Sequence, residues 1–256
     1  MKRIILTFIA FFTGTLLVYS QNAGEIVAAS RDRIKADTIS VRSRMVISSK
    51  DGATSERKMD QYSKDGPKGS RSVAVFNSPA SVAGTRFLTM ENGNNNDQWI
   101  FLPSLGKVRR IASSEGSGSF MGSDFSYDDI ASLSRDASLD THAFLREETV
   151  AGNECYVIES KPKDTAYQYS RMIQYIEKNS NVNYKMELYD KKNTLIKIVE
   201  MGGVKDVQGR PTIHNTKMTT LTAGTSTTLY VDIIKYDDPI PESVFTPAFL
   251  ETGRPR

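Results

Sequence analysis

The sequence predicts a mainly β fold: a curved antiparallel half-barrel of about 10–12 strands with an N-terminal helix and a short helical lid. Three observations lead there. Apolar and polar residues alternate with a period of two over most of the chain, as on the two faces of half-buried strands. Turn-forming groups separate these stretches at hairpin spacing: Asp51-Gly52, Asp65-Gly66-Pro67, Asn92-Gly93, Gly152-Asn153, Lys192-Asn193 and Gln208-Gly209. A helical period appears in only two places.

The chain opens with Lys2 and Arg3, followed by the uncharged run Ile4 to Val18 and the small Ser20. This reads as a signal peptide over residues 1–20, with a single mature domain over 21–256 that is exported to the periplasm. Lipidation at the cut would need a cysteine there, but the position holds Gln21 and the sole cysteine is Cys155. Next, Ile26, Val27, Ser30 and Ile34 recur at helical spacing and predict one amphipathic helix over Gly24–Asp37. Period two then takes over. Ile39, Val41, Met45 and Ile47 share one face, and Ser40, Arg42, Arg44 and Ser48 the other. The same alternation joins Val182, Tyr184, Met186 and Leu188, then Ile196 and Ile198, then Leu229, Val231 and Ile233. Further strands are predicted over Arg71–Asn77, Thr85–Met90, Gln98–Leu102, Lys107–Ala112, His142–Val150, Asn153–Ser160, Arg171–Lys178 and Pro211–Thr222.

One stretch breaks the rhythm. Residues 113–123, SSEGSGSFMGS, are too rich in Gly and Ser to hold a strand and predict a mobile loop, yet Phe120 and Met121 sit inside it. Ser126, followed three residues later by Asp129, resembles a capping box that opens a short helix through about Leu133. Phe120, Met121, Phe125, Tyr127, Ile130 and Leu133 give this segment more apolar surface than a solvated loop needs. Two helices cannot fill a large barrel. Either strand side chains meet across a closed interior, or a cavity remains with the helix and residues 113–135 as its lid. An apolar cavity suits acyl chains, since each buried methylene contributes about 0.8 kcal/mol without a directional bond. Met45, Met90, Met121, Met172 and Met186 are adaptable side chains of the kind such a surface or an ordinary core uses. Trp99 and Phe101 are the other candidate groove-lining residues, and Lys107, Arg109 and Arg110 are candidates for contact with lipid headgroups or an acidic partner.

Several chemistries are excluded. Without Lys2 and Arg3 the chain carries 31 basic against 30 acidic residues, so charge gives no case for nucleic acid. One cysteine forms no internal disulfide, and Cys155, alternating with Val157, reads as a small buried group. His142 and His214 lie far apart and have no second ligand at metal spacing. No Gly-x-Ser-x-Gly elbow is present, and Gly116-Ser117-Gly118 lacks the lysine and the flanking elements of a phosphate loop. Asp124, Asp128 and Asp129 are explained by the start of a helix. No catalytic residue, metal or cofactor is expected.

Two long motifs carry a family resemblance: DQWIFLPSLGKVRRI over residues 97–111 and SFMGSDFSYDDI over residues 119–130. With Pro79, Gly84-Thr85-Arg86 and the closing IPESVFTP over residues 240–247, they make the chain resemble the outer-membrane lipoprotein-sorting proteins, with their LolA/LolB-like fold. The resemblance implies an incomplete antiparallel barrel lidded by helices, acting as a carrier or chaperone for the acyl chains of lipoproteins or lipids. It also implies a monomer in transient contact with membranes, and an RND-type inner-membrane exporter as partner. An accessory subunit docking on that exporter through the same sheet is the alternative. Carriers of this fold hold the lid shut with an arginine; Arg42, Arg44, Arg86, Arg109 and Arg110 all qualify by type, and none is singled out.

Overall fold

The alternating stretches become the strands of one large sheet. The computed structural model describes residues 15–66, 69–92, 95–131 and 135–255, the side chains of residues 15–22 and of Asn95 excepted. A first meander runs through β1 (Thr38–Ser48), β2 (Thr54–Lys64), β3 (Arg71–Ser78), β4 (Arg86–Asn92), β5 (Asn95–Leu102) and β6 (Lys107–Ile111). A second begins with β7 (Asp140–Val150), β8 (Asn153–Pro162), β9 (Arg171–Glu177), β10 (Asn183–Tyr189) and β11 (Leu195–Gly202). After a small hairpin of β12 (Lys205–Val207) and β13 (Arg210–Thr212), it resumes with β14 (Asn215–Thr220) and β15 (Thr225–Tyr236). β1 pairs with β15, which joins the meanders into a 13-stranded antiparallel sheet with β6 and β7 at its two edges. These edges do not meet, so the barrel stays open.

That order dictates the path of the lid. β6 and β7 are consecutive in the chain yet lie at opposite edges, so the connection between them must cross a face of the sheet. Residues 112–131 lie on the inner one, which carries Met45, Met59, Phe76, Phe87, Ile100, Met172, Leu188, Val199 and Met218 from nine strands in one cluster. The outer face of β3 to β6 is covered by the chain's end. Ile240, Val244 and Phe245, then Phe249 and Leu250 of a short helix, pack on Val73 and Leu88. Thr246 caps that helix by accepting from the Phe249 amide at 3.2 Å, and Gly253 ends it in the left-handed region at φ 66°.

The N-terminal helix, α1, runs from Thr15 to Asp32 rather than over Gly24–Asp37. It stops because the Arg33 guanidinium turns back onto the Ser30 carbonyl, and residues 33–37 lead into β1. Ala23, Ile26 and Val27 seat it on Ile158 and Ile176 at the β7–β9 end of the inner face. The predicted signal peptide lies outside the described residues up to position 14; residues 15–20 form the first turns of α1. No helix among the described residues is long and apolar enough to cross a membrane.

Three strand predictions change. β2 was absent from them, because among its residues only Met59 and Tyr62 are large and apolar. The predicted strand Pro211–Thr222 divides into β13 and β14. In β15 a bulge at Asp232 breaks the period: Val231 pairs with Ser43 but Ile233 pairs with Arg42, so Ile233 faces out, 51% exposed, and Ile234 takes the inner position opposite Val41.

Candidate functional site

The connection 112–131 is a compact plug rather than a mobile loop. Two of its glycines answer a close approach. A Cβ on Gly116 would clash with the Asp128 carboxylate, and one on Gly118 would press on the Glu115 carbonyl at 2.9 Å. Backbone bonds from Gly118 to Glu115, Tyr127 to Gly118, Asp128 to Gly116 and Phe120 to Phe125 tie the turns together. The capping box forms as the spacing predicts: the Asp129 amide donates to Ser126 Oγ at 2.9 Å and the Ser126 amide to Asp129 Oδ2 at 2.8 Å, opening α2 (Tyr127–Ala131). Met121 sits in the left-handed region at φ 53°, followed by Gly122 at φ 74°, which reverses the chain at the plug's tip.

Phe120 is the plug's centre. It is fully buried, with ring centroids 5.1 Å from Phe87, 5.8 Å from Phe76 and 5.5 Å from Tyr127. Phe125 and Ile130 are buried in the same cluster, and Met121 and Tyr127 pack against it half-buried. Five of the six apolar residues predicted for the lid therefore converge on the inner face; Leu133 lies outside the described residues.

Polar contacts surround this apolar centre. The Asp124 carboxylate accepts from Thr225 Oγ1 at 2.5 Å and Thr227 Oγ1 at 2.7 Å, both on the inner row of β15. Lys197 of β11 donates to the Asp124 carbonyl at 2.8 Å and to Asp129 Oδ2 at 3.0 Å, a nearly buried ion pair. Asp129 Oδ1 also accepts from Tyr169 Oη at 2.8 Å and Gln168 Nε2 at 3.0 Å. Burial, with the Asp129 charge beside it, pushes the Tyr169 phenol far up. Gln98 donates to Asp128 at 3.1 Å, and burial raises the Asp128 carboxyl. The three aspartates read from sequence as helix-start residues thus also fix the plug to β5, β11 and β15.

Sequence reasoning missed Arg57. It lies on the inner row of β2, opposite Met45, and its Nη1 donates to the Met121 carbonyl at the plug's tip. Burial lowers its pKa and no carboxylate offsets that. Of the five arginines proposed by type, Arg109 bonds Glu115 at the start of the plug, and the other four lie on the outer rows of their strands. Arg42 pairs with Asp60 and Arg44 with Asp232 on the outer face, while Arg86 donates to the Leu250 carbonyl at 2.7 Å.

The remaining predicted residues separate. Trp99 and Phe101 do not line the interior, because alternation along β5 gives that face to Gln98, Ile100 and Leu102. Instead they pack under the C-terminal segment, and Met90 joins them there. Arg109 pairs with Glu115 at 2.9 Å, Arg110 pairs with Asp97 and lies 6.0 Å from the Trp99 ring, and Lys107 is exposed on the edge strand. Arg110 and Asp97 also line a polar cavity of about 320 Å³ at that edge with Asn96, Ile111, Ala112 and Ser113. Cys155 is fully buried, and burial raises its thiol pKa. His142 bonds Ser160 and the Ala137 carbonyl at 2.8 Å each, while His214 bonds the Thr212 carbonyl.

The architecture has solved counterparts. A putative outer membrane lipoprotein-sorting protein domain from Vibrio parahaemolyticus is 26% identical, with 91% of this chain and 99% of that one covered at a TM-score of 0.85. A DUF1329 family protein from Desulfovibrio piger is 28% identical at the same coverage, with a TM-score of 0.86. A LolA superfamily protein from Nitrosomonas europaea, 21% identical over 88% of this chain and 97% of that one, shares the fold at a TM-score of 0.71. No curated protein matches the chain. A family model described as "Uncharacterized protein" matches residues 68–252, a span holding both central motifs, the plug and the C-terminal clasp. The chain belongs to that family, and its fold is the LolA-like fold of lipoprotein-sorting proteins.

Proposed function

We propose that the protein is a non-enzymatic periplasmic carrier that shelters the acyl chains of a lipoprotein or lipid on the inner face of its sheet, beneath the 112–131 plug. One observation carries the reading. The plug's centre is an aromatic cluster that an acyl chain can replace in kind, while its rim is held by hydrogen bonds and one ion pair that can exchange with water. Methylenes are non-directional and adapt to such a surface, and the half-buried Met121, Met186 and Met201 beside the cluster supply further adaptability. Arg57 is the latch in this reading: its bond to Met121 holds the tip closed, and breaking it frees the tip first. The similarity to a lipoprotein-sorting domain supports the cargo class. Cleavage after Ser20, a monomeric state, transient membrane contact and delivery to or from an RND-type exporter complete the proposal.

The test is direct. Protein purified from periplasmic extract and analysed by native mass spectrometry should carry lipid or acylated peptide, and delipidated protein should take up a fluorescent acyl probe saturably. A clean polypeptide mass together with no probe uptake would sink the carrier reading.

A further inference from the structure

Arg33 closes the C-terminal end of α1 through Nη1, but its Nε is buried and has no partner among the described residues. The acids nearby are engaged elsewhere: Arg31 takes Asp136 and Arg210 takes Asp237. Burial lowers the Arg33 pKa, and the titratable group beside it is the Tyr236 phenol, which burial keeps protonated and neutral, rather than a carboxylate. A half-buried guanidinium without an anion is costly, and an orphaned buried donor calls for an explanation. Helix capping explains one nitrogen only.

The place of Tyr236 supplies the rest. It pairs with Ile39, and from that point the inner rows of β1 and β15 run through Ile39, Val41 and Ser43 and through Ile234, Val231 and Leu229 to Met45. Ile39, Val41, Val231, Ile234 and Leu229 are half-buried, a continuous apolar stripe. Arg57, the plug's latch, stands opposite Met45 at its far end. From Ile39 to Met45 is six residues, or about 20 Å at about 3.3 Å per residue. That is the reach of an extended long acyl chain. A guanidinium stands at each end: Arg57 already has a carbonyl, whereas Arg33 has a spare donor beside a second cation, Arg210, whose guanidinium lies 4.8 Å from the Tyr236 ring.

We propose that Arg33 is the head-group site for a phosphate-bearing, long-chain lipid whose acyl chain lies along the β1–β15 stripe toward the plug. This rests on the carrier reading and specifies its ligand class. Arginine suits the task because its planar fork meets phosphate oxygens with two parallel bonds, of which Nε–H supplies one.

Calorimetric titration with 1-palmitoyl lysophosphatidic acid, with 1-palmitoylglycerol and with inorganic phosphate tests it, since the two lipids share a chain and differ in the phosphate. The wild-type protein should bind the phosphorylated lipid at least about ten-fold more tightly than the neutral one, as charge-assisted bonds require. Arg33→Met, which keeps the apolar stem, should erase that preference, and Arg33→Lys should restore part of it. Inorganic phosphate should show no saturable binding at millimolar concentration. Equal affinities in the wild type, a preference that survives Arg33→Met, or phosphate binding as strong as the lipid's would each overturn the proposal. If neither lipid binds, the carrier reading fails with it; if only the neutral lipid binds, the carrier reading stands and the head-group site does not.

Discussion

Truncating Phe120 distinguishes a lid from a core segment. The side chain is fully buried among three aromatic rings at 5.1–5.8 Å, so Phe120→Ala removes a complete set of contacts and should cost about 3–5 kcal/mol. If the plug opens as a unit, that cost falls on its docking equilibrium, and the opened population rises by roughly 10²- to 10³-fold or more, at about 1.4 kcal/mol per decade. Hydrogen exchange reads this directly. The amides of Gly118, Phe120, Tyr127 and Asp128, all bonded within the plug, should exchange faster by that factor, while amides of the β1–β15 pairing keep their protection. Uptake of an acyl probe should accelerate in parallel. Uniformly faster exchange in the plug and the central strands together would refute the reasoning, because it would mean that residues 112–131 unfold only with the whole sheet.

Other perturbations follow from the same geometry. Arg57→Met keeps the stem and removes the bond to the Met121 carbonyl; plug docking should weaken by about 1.5–3 kcal/mol, seen as faster probe release with little change in thermal midpoint. Asp128 is a carboxyl whose folded pKa is raised by burial, so its ionised form opposes folding and the penalty grows as pH rises through the folded value. Asp128→Asn should therefore raise the thermal midpoint at pH 7, and the gain should vanish when the wild type is measured well below the carboxylate range. Asp136 behaves oppositely. Bonds from Ser138 and Arg31 hold its carboxyl down at about 2, so it stabilises the fold above the normal carboxylate range, and that contribution is lost as pH falls from about 4 toward 2. Asp136→Asn should be less stable than wild type at pH 7 and indistinguishable from it below pH 2, as acid titration by circular dichroism will record.

What could be read from the sequence depended on what each strand faces. The rows of β1 alternate as their spacing predicts because one side meets the core and the other meets water. β2 escaped notice for the reason that makes it informative: its inner row reads Ser55, Arg57, Met59, Gln61 and Ser63, and a strand with polar residues on both faces has no hydrophobic period. The latch residue sits in that unrecognised strand. A lone arginine at an inward position beside Met59 is the signal that would have revealed it. Phe120, Met121 and Phe125 drew attention to the 113–135 segment because they are costly to expose, but its glycines suggested mobility when Gly116 and Gly118 serve to admit the Asp128 and Glu115 oxygens. Trp99 and Phe101 were misplaced because β5 is apolar on both faces, and only the C-terminal clasp decides which side each residue serves.

The pairing of β1 with β15 also governs how the chain assembles. Every other contact in the large sheet joins strands that are neighbours in sequence or separated by one small hairpin, so each meander can zip up from local turns. The β1–β15 seam is different: Ile39 meets Tyr236 and Ser48 meets Ser226, so it joins the first strand of the sheet to the last. Closing so long a loop carries an entropic cost before any bond repays it, which places the seam late and makes it the slow step. Until the last strand is synthesised, β1 therefore presents an unpaired edge eleven residues long, bordered by Met45 and Ile47. Its outward Arg42 and Arg44 place charge along that waiting edge, a feature that disfavours pairing with another copy.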